Sequence, residues 1–175
     1  MTSRDLYRRA MNLYSKGDLN SAIDLLNAAA EMGDRDAIYC LAFWHKDGEV
    51  VAKDEDAARG YFSKFREIAE GGDAEAQFDL SELIRWGNGF EQDTELANQW
   101  LRKAASGGCA AAQVRLSEHL QHGIEGFTKD LPSAMEWAER AARQEHGGGL
   151  MQLVLLKRLA GAQEAELLEL TQRAA

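Results

Sequence analysis

Three stretches of the chain repeat one pattern of residues. Residues 37–48, 76–87 and 112–123 each run from an Ala to a Leu four residues later, and then to a Gly eleven residues after the Ala. Their starts lie 39 and then 36 residues apart, and periods of this length are typical of repeats built from a pair of helices. The sequence therefore predicts a stack of like units, and the function is to be sought on the surface of that stack.

The pattern continues beyond each Gly into a second predicted helix. A short loop leads from the Gly to Asp54, Asp93 or Asp130. Gly tolerates the left-handed backbone that ends a helix, and Asp accepts the free N–H groups that begin one. The helix after Asp54 is predicted to be about one turn longer than the others. Small and aromatic residues recur at identical spacings in the last two copies: Ala97, Trp100, Ala104 and Ala105, then Ala134, Trp137, Ala141 and Ala142.

The composition agrees with an all-helical protein of one domain. The only proline, Pro132, stands in the first turn of a predicted helix, where a missing N–H costs little. A first pair is predicted around the short loop Gly17-Asp18, and a last pair from Leu150–Ala160 and Glu164–Ala174. We therefore predict about five helical pairs, or ten helices, in a single domain over 1–175. Its approximate units are 3–36, 37–75, 76–111, 112–148 and 149–175.

Charge and hydropathy exclude several classes of partner. The formal net charge is −9 and the isoelectric point is near 5.0, so the protein repels phosphate backbones and nucleic acid is not expected as a partner. No apolar run approaches the length that spans a membrane. The first residues lack the apolar stretch of an export signal, which predicts a cytoplasmic location; removal of such a signal would leave the same sequence. Cys40 and Cys109 are expected to lie two units apart and to be reduced.

The repeated residues resemble the Sel1-like repeat family, whose members are related to tetratricopeptide repeats. The best-matching stretch runs from Ala76 through Gly87 and Asp93 to Trp100 and Gly107. The three middle copies fit the family well, whereas the first and last are closer to plain tetratricopeptide pairs. The resemblance implies a right-handed α-solenoid, a bacterial origin and a non-enzymatic scaffold.

In tetratricopeptide-type stacks the first helix of each pair lines a concave groove. The residues that face outward lie two before, two after, five after and six after the packed Leu. Phe43 and Trp86 are the sharper candidates, since an aromatic residue at the place of Tyr39 or Phe78 often pads the helix interface instead. By resemblance the predicted groove contains Tyr39, Phe43, Lys46, Asp47, Phe78, Glu82, Arg85, Trp86, Val114, Glu118, Gln121 and His122.

Two motifs that resemble metal-binding or catalytic sites are better explained as structural parts of the repeat. His119 and His122 have the spacing of two metal ligands on one helix, but they fit better as an interface residue and an exposed groove residue. The run from His146 to Gly149 resembles an esterase loop, yet no Gly-x-Ser-x-Gly or Ser-x-x-Lys nucleophile accompanies it. We interpret this run as a flexible turn between repeats, and we expect no metal, cofactor or catalytic residue.

These observations favour a protein–protein interaction module or adaptor that holds a protein or peptide in the predicted groove. A cytoplasmic immunity or antitoxin protein that neutralises a toxin is the alternative, and an enzyme such as a hydrolase is the remote one. The protein is expected to be a monomer, or a weak homodimer through Leu167, Leu168 and Leu170 of the last helix.

Overall fold

The computed structural model describes residues 1–162 and 172, and the described residues form nine α-helices without a strand. All of the predicted helical segments within this range are present, so the all-α class and the paired arrangement are confirmed there. The helices are α1 (Ser3–Ser15), α2 (Leu19–Glu31), α3 (Arg35–Asp47), α4 (Glu55–Glu70), α5 (Ala74–Trp86), α6 (Thr94–Ser106), α7 (Ala110–His122), α8 (Leu131–Arg143) and α9 (Gly147–Leu159).

The helices belong to two compact units. The first unit is Met1–Gly71 and contains α1 to α4, with α1 packed on α2 and α3 packed on α4. The second begins at Gly72 and contains α5 to α9; α5 packs on α6, α7 on α8, and α8 on α9. In this second unit the first helices of successive pairs also meet, α5 with α7 and α7 with α9.

The Gly and Asp of each repeat fix how one helix leads to the next. Gly48, Gly87 and Gly123 end their helices in the left-handed region, with φ of 74°, 68° and 66°. A Cβ at Gly48 would lie 2.8 Å from the Cβ of Lys53, so a larger residue there would push the loop away. Side chains of Asp54, Asp93 and Asp130 cap the following helices, as predicted.

Alanines and one large aromatic residue of the repeated second helices pack in the core of the second unit. Ala97, Ala104 and Ala134 are fully buried. Trp100 is buried at 9% exposure, and Trp137 packs half-buried against the neighbouring cluster. The helix after Asp54 has 16 residues against 13 in α6 and α8, which confirms that it is longer by about one turn.

The prediction that His146 to Gly149 form a flexible turn is wrong. These glycines open α9, which starts three residues before the predicted Leu150, and the His146 side chain accepts a hydrogen bond of 3.3 Å from the Gly149 N–H. The lack of a side chain explains why Gly149 is needed there. A Cβ on Gly149 would lie 2.6 Å from the Cβ of Ala141, so only glycine lets α9 approach α8 this closely.

Both cysteines are free, as predicted. Apart from Gln172, the second helix of the last predicted pair, Glu164–Ala174, lies outside the described residues, and so do its leucines Leu167, Leu168 and Leu170. The single domain and its unit boundaries stay predictions. Among the described residues, the longest apolar helical stretches fall short of what is needed to cross a membrane.

Candidate protein-binding surface

The outer faces of α5 and α7 in the second unit carry a connected set of charged side chains. The Arg115 guanidinium lies 3.1 Å from the carboxylate of Glu82 on α5 and 3.6 Å from that of Glu118 on its own helix. About a third of the Arg115 side chain and nearly half of that of Glu118 remain exposed. We call Glu82, Trp86, Arg115, Glu118 and His122 the first-helix surface.

Trp86 dominates this surface because its indole is largely open to solvent. It is the last residue of α5 and is 63% exposed. Its ring N–H lies 3.5 Å from a carboxylate oxygen of Glu82, which is a long and weak hydrogen bond. Trp86 is thus exposed at the end of α5, and its role in binding stays a prediction.

Arg85, in contrast, does not face solvent, and its prediction as an outward groove residue is wrong. Its side chain is 3% exposed. The guanidinium donates to the Glu125 carboxylate and to the Asn98 side-chain oxygen, each over 2.8 Å. The amide of Asn98 in turn donates to the backbone oxygen of Glu125 over 2.6 Å. Arg85 thus fastens α5 to α6 and to the loop that follows α7.

Gln121 is likewise buried, at 6% exposure, contrary to its predicted outward position. Its side-chain oxygen accepts a hydrogen bond of 2.7 Å from Gln152 on α9. Arg85 and Gln121 both lie five residues after the packed Leu of their helix. In the second unit this position points to the next repeat, so its side chains join neighbouring repeats instead of meeting a partner.

The predicted groove residues of α3 lie in the first unit and are largely engaged with one another. The ring centroid of Phe43 lies 4.9 Å from that of Tyr39 and 5.5 Å from that of Phe62. Lys46 lies over the Phe43 ring at 5.4 Å and pairs with Asp47 at 3.2 Å. Phe43 is therefore part of an aromatic cluster, and its truncation would cost stability.

Phe78 and Val114, the remaining apolar members of the predicted groove, are half-buried. Phe78 packs against the cluster that includes Leu101, Leu116 and Phe127. These contacts agree with the alternative that Phe78 packs in the helix interface instead of facing a partner. Of the eight predicted groove residues on α5 and α7, those most available to a partner are Trp86, Glu118 and His122, with Glu82 half-buried beside them.

The two histidines of α7 differ in burial. His119 is 4% exposed, with its ring 5.3 Å from that of Phe127, whereas His122 is exposed. Burial, together with the positive charges of Arg85 and Arg115, lowers the pKa of His119 to about 4. Within the described residues, no group of three or more His, Cys, Asp or Glu side chains is placed to hold a metal ion.

Three residues of this region were not singled out by the repeat pattern: Asn98, Arg115 and Glu125. Each lies outside the repeated Ala, Leu, Gly, Asp and Trp positions. Glu125 adopts a positive φ of 55°, a backbone strain that the bonds to Arg85 and Asn98 offset. Only the charge of Arg115 next to the predicted outward position of Val114 offered a signal.

Comparison with known proteins places this geometry in a family. The Sel1 repeat model matches residues 6–34, 35–67, 74–109 and 110–146, which together make up most of the chain. The chain belongs to the Sel1 repeat family. The match at 6–34 also shows that the first pair is a Sel1 repeat, so its prediction as a plain tetratricopeptide pair is wrong.

Solved structures of Sel1 repeat proteins share the fold. A Sel1 repeat protein from Oxalobacter formigenes superposes with a TM-score of 0.76 at 23% identity, over 99% of this chain and 72% of that one. A protective antigen of uropathogenic Escherichia coli with the same repeat fold gives a TM-score of 0.69 at 27% identity, over 98% of this chain and 38% of that one. The all-α solenoid class of the Sel1 repeats is thereby confirmed.

Curated relatives of this Sel1 repeat chain are named as regulators. An exopolysaccharide production negative regulator of Rhizobium leguminosarum bv. viciae is 26% identical over 160 residues, which cover 83% of this chain and 58% of that protein. The chitin synthase regulator SKT5 of Saccharomyces cerevisiae is 30% identical over 131 residues, or 73% of this chain and 18% of that protein. The chain therefore spans little more than half of the first relative and a small part of the second. Sel1 repeat proteins generally mediate protein–protein interaction.

Proposed function

We propose that this Sel1 repeat chain is a non-enzymatic adaptor that binds a protein partner through the first-helix surface of its second unit. The observation that carries the proposal is the exposure of Trp86, at 63%. Tryptophan and arginine are the residues that most often dominate binding energy at protein interfaces. Here Trp86 stands next to a charged network that contains Arg115.

The charged neighbours of Trp86 support binding because they are already held in place. Arg115 bridges Glu82 and Glu118, which lie on two different helices. Side chains that are ordered before binding lose less conformational entropy when a partner arrives. A partner that covers Trp86 would therefore meet a preformed arrangement of carboxylates and a guanidinium.

The names of the relatives favour a regulatory adaptor over the immunity protein of the alternative hypothesis. One relative is named as a negative regulator of exopolysaccharide production and another as a chitin synthase regulator. By analogy, this chain would bind another protein in the cytoplasm and thereby regulate the activity of that protein. An enzymatic role has no support from the described side chains of the first-helix surface, which lack a nucleophile held by a base.

A paired capture experiment tests the proposed surface. Wild-type protein, Trp86→Ala and the control Met32→Ala serve as baits in lysate of the source organism. Met32 is 56% exposed and lies in the first unit, so its truncation removes a similarly exposed apolar side chain elsewhere. We expect Trp86→Ala to lose a partner that the other two baits retain. Equal capture by all three baits would place the binding site away from Trp86.

A further inference from the structure

Helix α9 carries three exposed apolar side chains in one stripe. Met151, Leu155 and Leu159 are 56%, 44% and 61% exposed. Residues four apart lie on one face of a helix, so these three side chains form a continuous row. We call them the α9 stripe. Such a row of large apolar side chains on a surface marks a site of interaction.

The α9 stripe occupies the register of the predicted groove residues. The packed Leu of α9 is Leu153, which is 5% exposed. Met151 lies two residues before it, and Leu155 and Leu159 lie two and six residues after it. The position six after the packed Leu is that of Trp86 on α5 and His122 on α7, and the position two after it is that of Glu82 and Glu118. The stripe is thus the continuation, in the next repeat, of the same helical face.

Contacts within the second unit place α7 between α5 and α9. Arg115 of α7 pairs with Glu82 of α5 at 3.1 Å. On the other side of α7, Gln121 and Ser117 both accept hydrogen bonds from Gln152 of α9, over 2.7 Å and 3.3 Å. The α9 stripe therefore adjoins the first-helix surface, and one bound segment could contact both.

The charge of the first-helix surface indicates what such a segment carries. Glu82 and Glu118 both pair with Arg115, and Glu82 also lies 3.7 Å from the Nε of Arg85, which pairs with Glu125. Three carboxylates thus meet two guanidinium groups here, and the whole chain has a net charge of −9. The open indole face of Trp86 also attracts a cation. Basic side chains complement this surface, whereas an anionic membrane would be repelled.

The end of the α9 stripe offers a place for one apolar anchor. Leu159 lines an apolar groove of about 350 Å³ together with Leu131, Met135 and Leu156. A groove of this kind can enclose a large aliphatic or aromatic side chain, which is how hot-spot residues are desolvated. Methionine, as in Met151 and Met135, adapts its shape to different apolar partners.

We infer that the partner presents a basic amphipathic segment, whose apolar side chains cover the α9 stripe and whose Arg or Lys side chains face Glu82, Glu118 and Trp86. An amphipathic helix laid into an apolar groove binds through anchors at this kind of spacing. The inference rests on the proposed function and deepens it, because it names the chemistry of the partner and adds α9 to the site.

Selection from a random-peptide display library against the purified full chain tests the inference. We expect enriched peptides that combine apolar residues with Arg or Lys, and binding about tenfold weaker to Met151→Ser and to Leu155→Ser. Met32→Ser is the matched control, since Met32 and Met151 are each 56% exposed. Enrichment of acidic peptides, or of none above a bare-resin background, would overturn the inference.

A second matched pair of variants tests, with the same peptides, whether the negative charge of the first-helix surface contributes to binding. Glu118→Gln should weaken binding, more strongly at low salt. Glu139→Gln should not, although its carboxylate is comparably exposed and also pairs with an arginine, Arg143 at 3.5 Å. Equal effects of the two substitutions would contradict a basic partner at the first-helix surface.

Methionine oxidation by dilute peroxide distinguishes a partner peptide from other occupants of the stripe. In the free protein we expect Met151 and Met32 to oxidise at similar rates, and a bound peptide should protect Met151 alone. Slow oxidation of Met151 without peptide would show that the stripe is already covered. If that slow rate depended on protein concentration, a second copy of the chain would be what covers the stripe. If it did not, residues 163–175 would be what covers it. Vesicles of anionic lipid that protect Met151 would assign a membrane, and each of these results overturns the inference.

Trp86→Ala separates failure of this inference from failure of the proposed function. Loss of the selected peptides on Trp86→Ala, with full binding to Met151→Ser and Leu155→Ser, would overturn only the role of α9. Full binding to all three variants would overturn both. Loss on all three supports one continuous site.

Discussion

The guanidinium of Arg85 donates a 2.8 Å hydrogen bond to the carboxylate of Glu125, which lies 40 residues further along the chain. The pair joins the end of one first helix to the loop that closes the next repeat. Arg85 is 3% exposed, and Glu125 has a positive φ. The contact therefore anchors a loop with a strained backbone to a buried side chain. Arg85 thereby connects α5 to the loop after α7, and α5 and α7 are the two helices that carry the first-helix surface.

Removal of Arg85 should therefore destabilise the fold. Arg85→Ala leaves the buried side-chain oxygen of Asn98 without its donor and the half-exposed Glu125 without its pair, which should cost roughly 2 kcal/mol. Arg59→Ala is the control, because its pair with Asp56 is largely exposed and its loss should cost less than about 0.5 kcal/mol. Urea unfolding measures both. Similar small losses would contradict a structural role for Arg85.

The two tryptophans of the third repeat, residues 74–109, should differ in what their truncation costs in stability. Trp100 is 9% exposed, with the Lys103 ammonium 4.1 Å from its ring, so Trp100→Ala should lower the free energy of unfolding by about 3 to 5 kcal/mol. Trp86→Ala should change it by less than about 0.5 kcal/mol, since that side chain is exposed. A large loss on Trp86→Ala would show that it supports the fold.

Substitution of two glycines of α9 by alanine should change the stability of the protein in opposite directions. A Cβ on Gly147 meets nothing within 4 Å, so Gly147→Ala should stabilise the protein by roughly 0.5 kcal/mol through helix propensity. A Cβ on Gly149 would collide with Ala141, and Gly149→Ala should cost about 1 to 3 kcal/mol. Thermal unfolding of both variants measures the difference. Equal effects would show that α9 does not pack on α8 this closely.

His119 should make stability depend on pH in the mildly acidic range. Its pKa is about 4 in the folded protein against 6.5 as the ordinary value, so below pH 6.5 the unfolded chain takes up a proton that the folded chain refuses. Stability should therefore fall between pH 6.5 and 4, by at most about 3 kcal/mol. Asp36 and Asp130 have lowered pKa values, so the stability that they contribute is present above pH 3.8 and is lost only below it.

The contribution of His119 is isolated by comparing pH profiles. Unfolding free energies of the wild type and of His119→Leu, measured at several pH values from 7 to 4, should differ in slope, with the variant flatter. A constant offset between the two profiles would mean that His119 contributes packing alone.

Helices and their ends were readable from the sequence because local chemistry decides them. The Gly at the end of each first helix and the Asp before each second helix act within a few residues, and the structure places them as caps. His146 shows where this reading failed. Three glycines after it indicate a turn by local propensity, but the close approach of Gly149 to Ala141 outweighs that propensity and makes them helical.

Positions on the candidate surface were less predictable because exposure depends on the neighbouring repeat. The register correctly gave Trp86 an outward place, yet it gave the same status to Arg85 and Gln121. Whether a side chain five residues after the packed Leu meets solvent is decided by what the next repeat brings opposite it. Glu125 and Gln152 are those partners, and they are far away in sequence.

The sequence by itself determined the family, the helical pairs and the residues that cap them, since these follow from repeats and from hydrogen bonds between near neighbours. Tertiary structure decided which charged side chains are buried, how Arg115 ties α5 to α7, and that the α9 stripe continues the first-helix surface. The physical reason is that burial and ion pairing depend on distances between residues some 30 to 40 positions apart, and these distances exist only once the helices have packed.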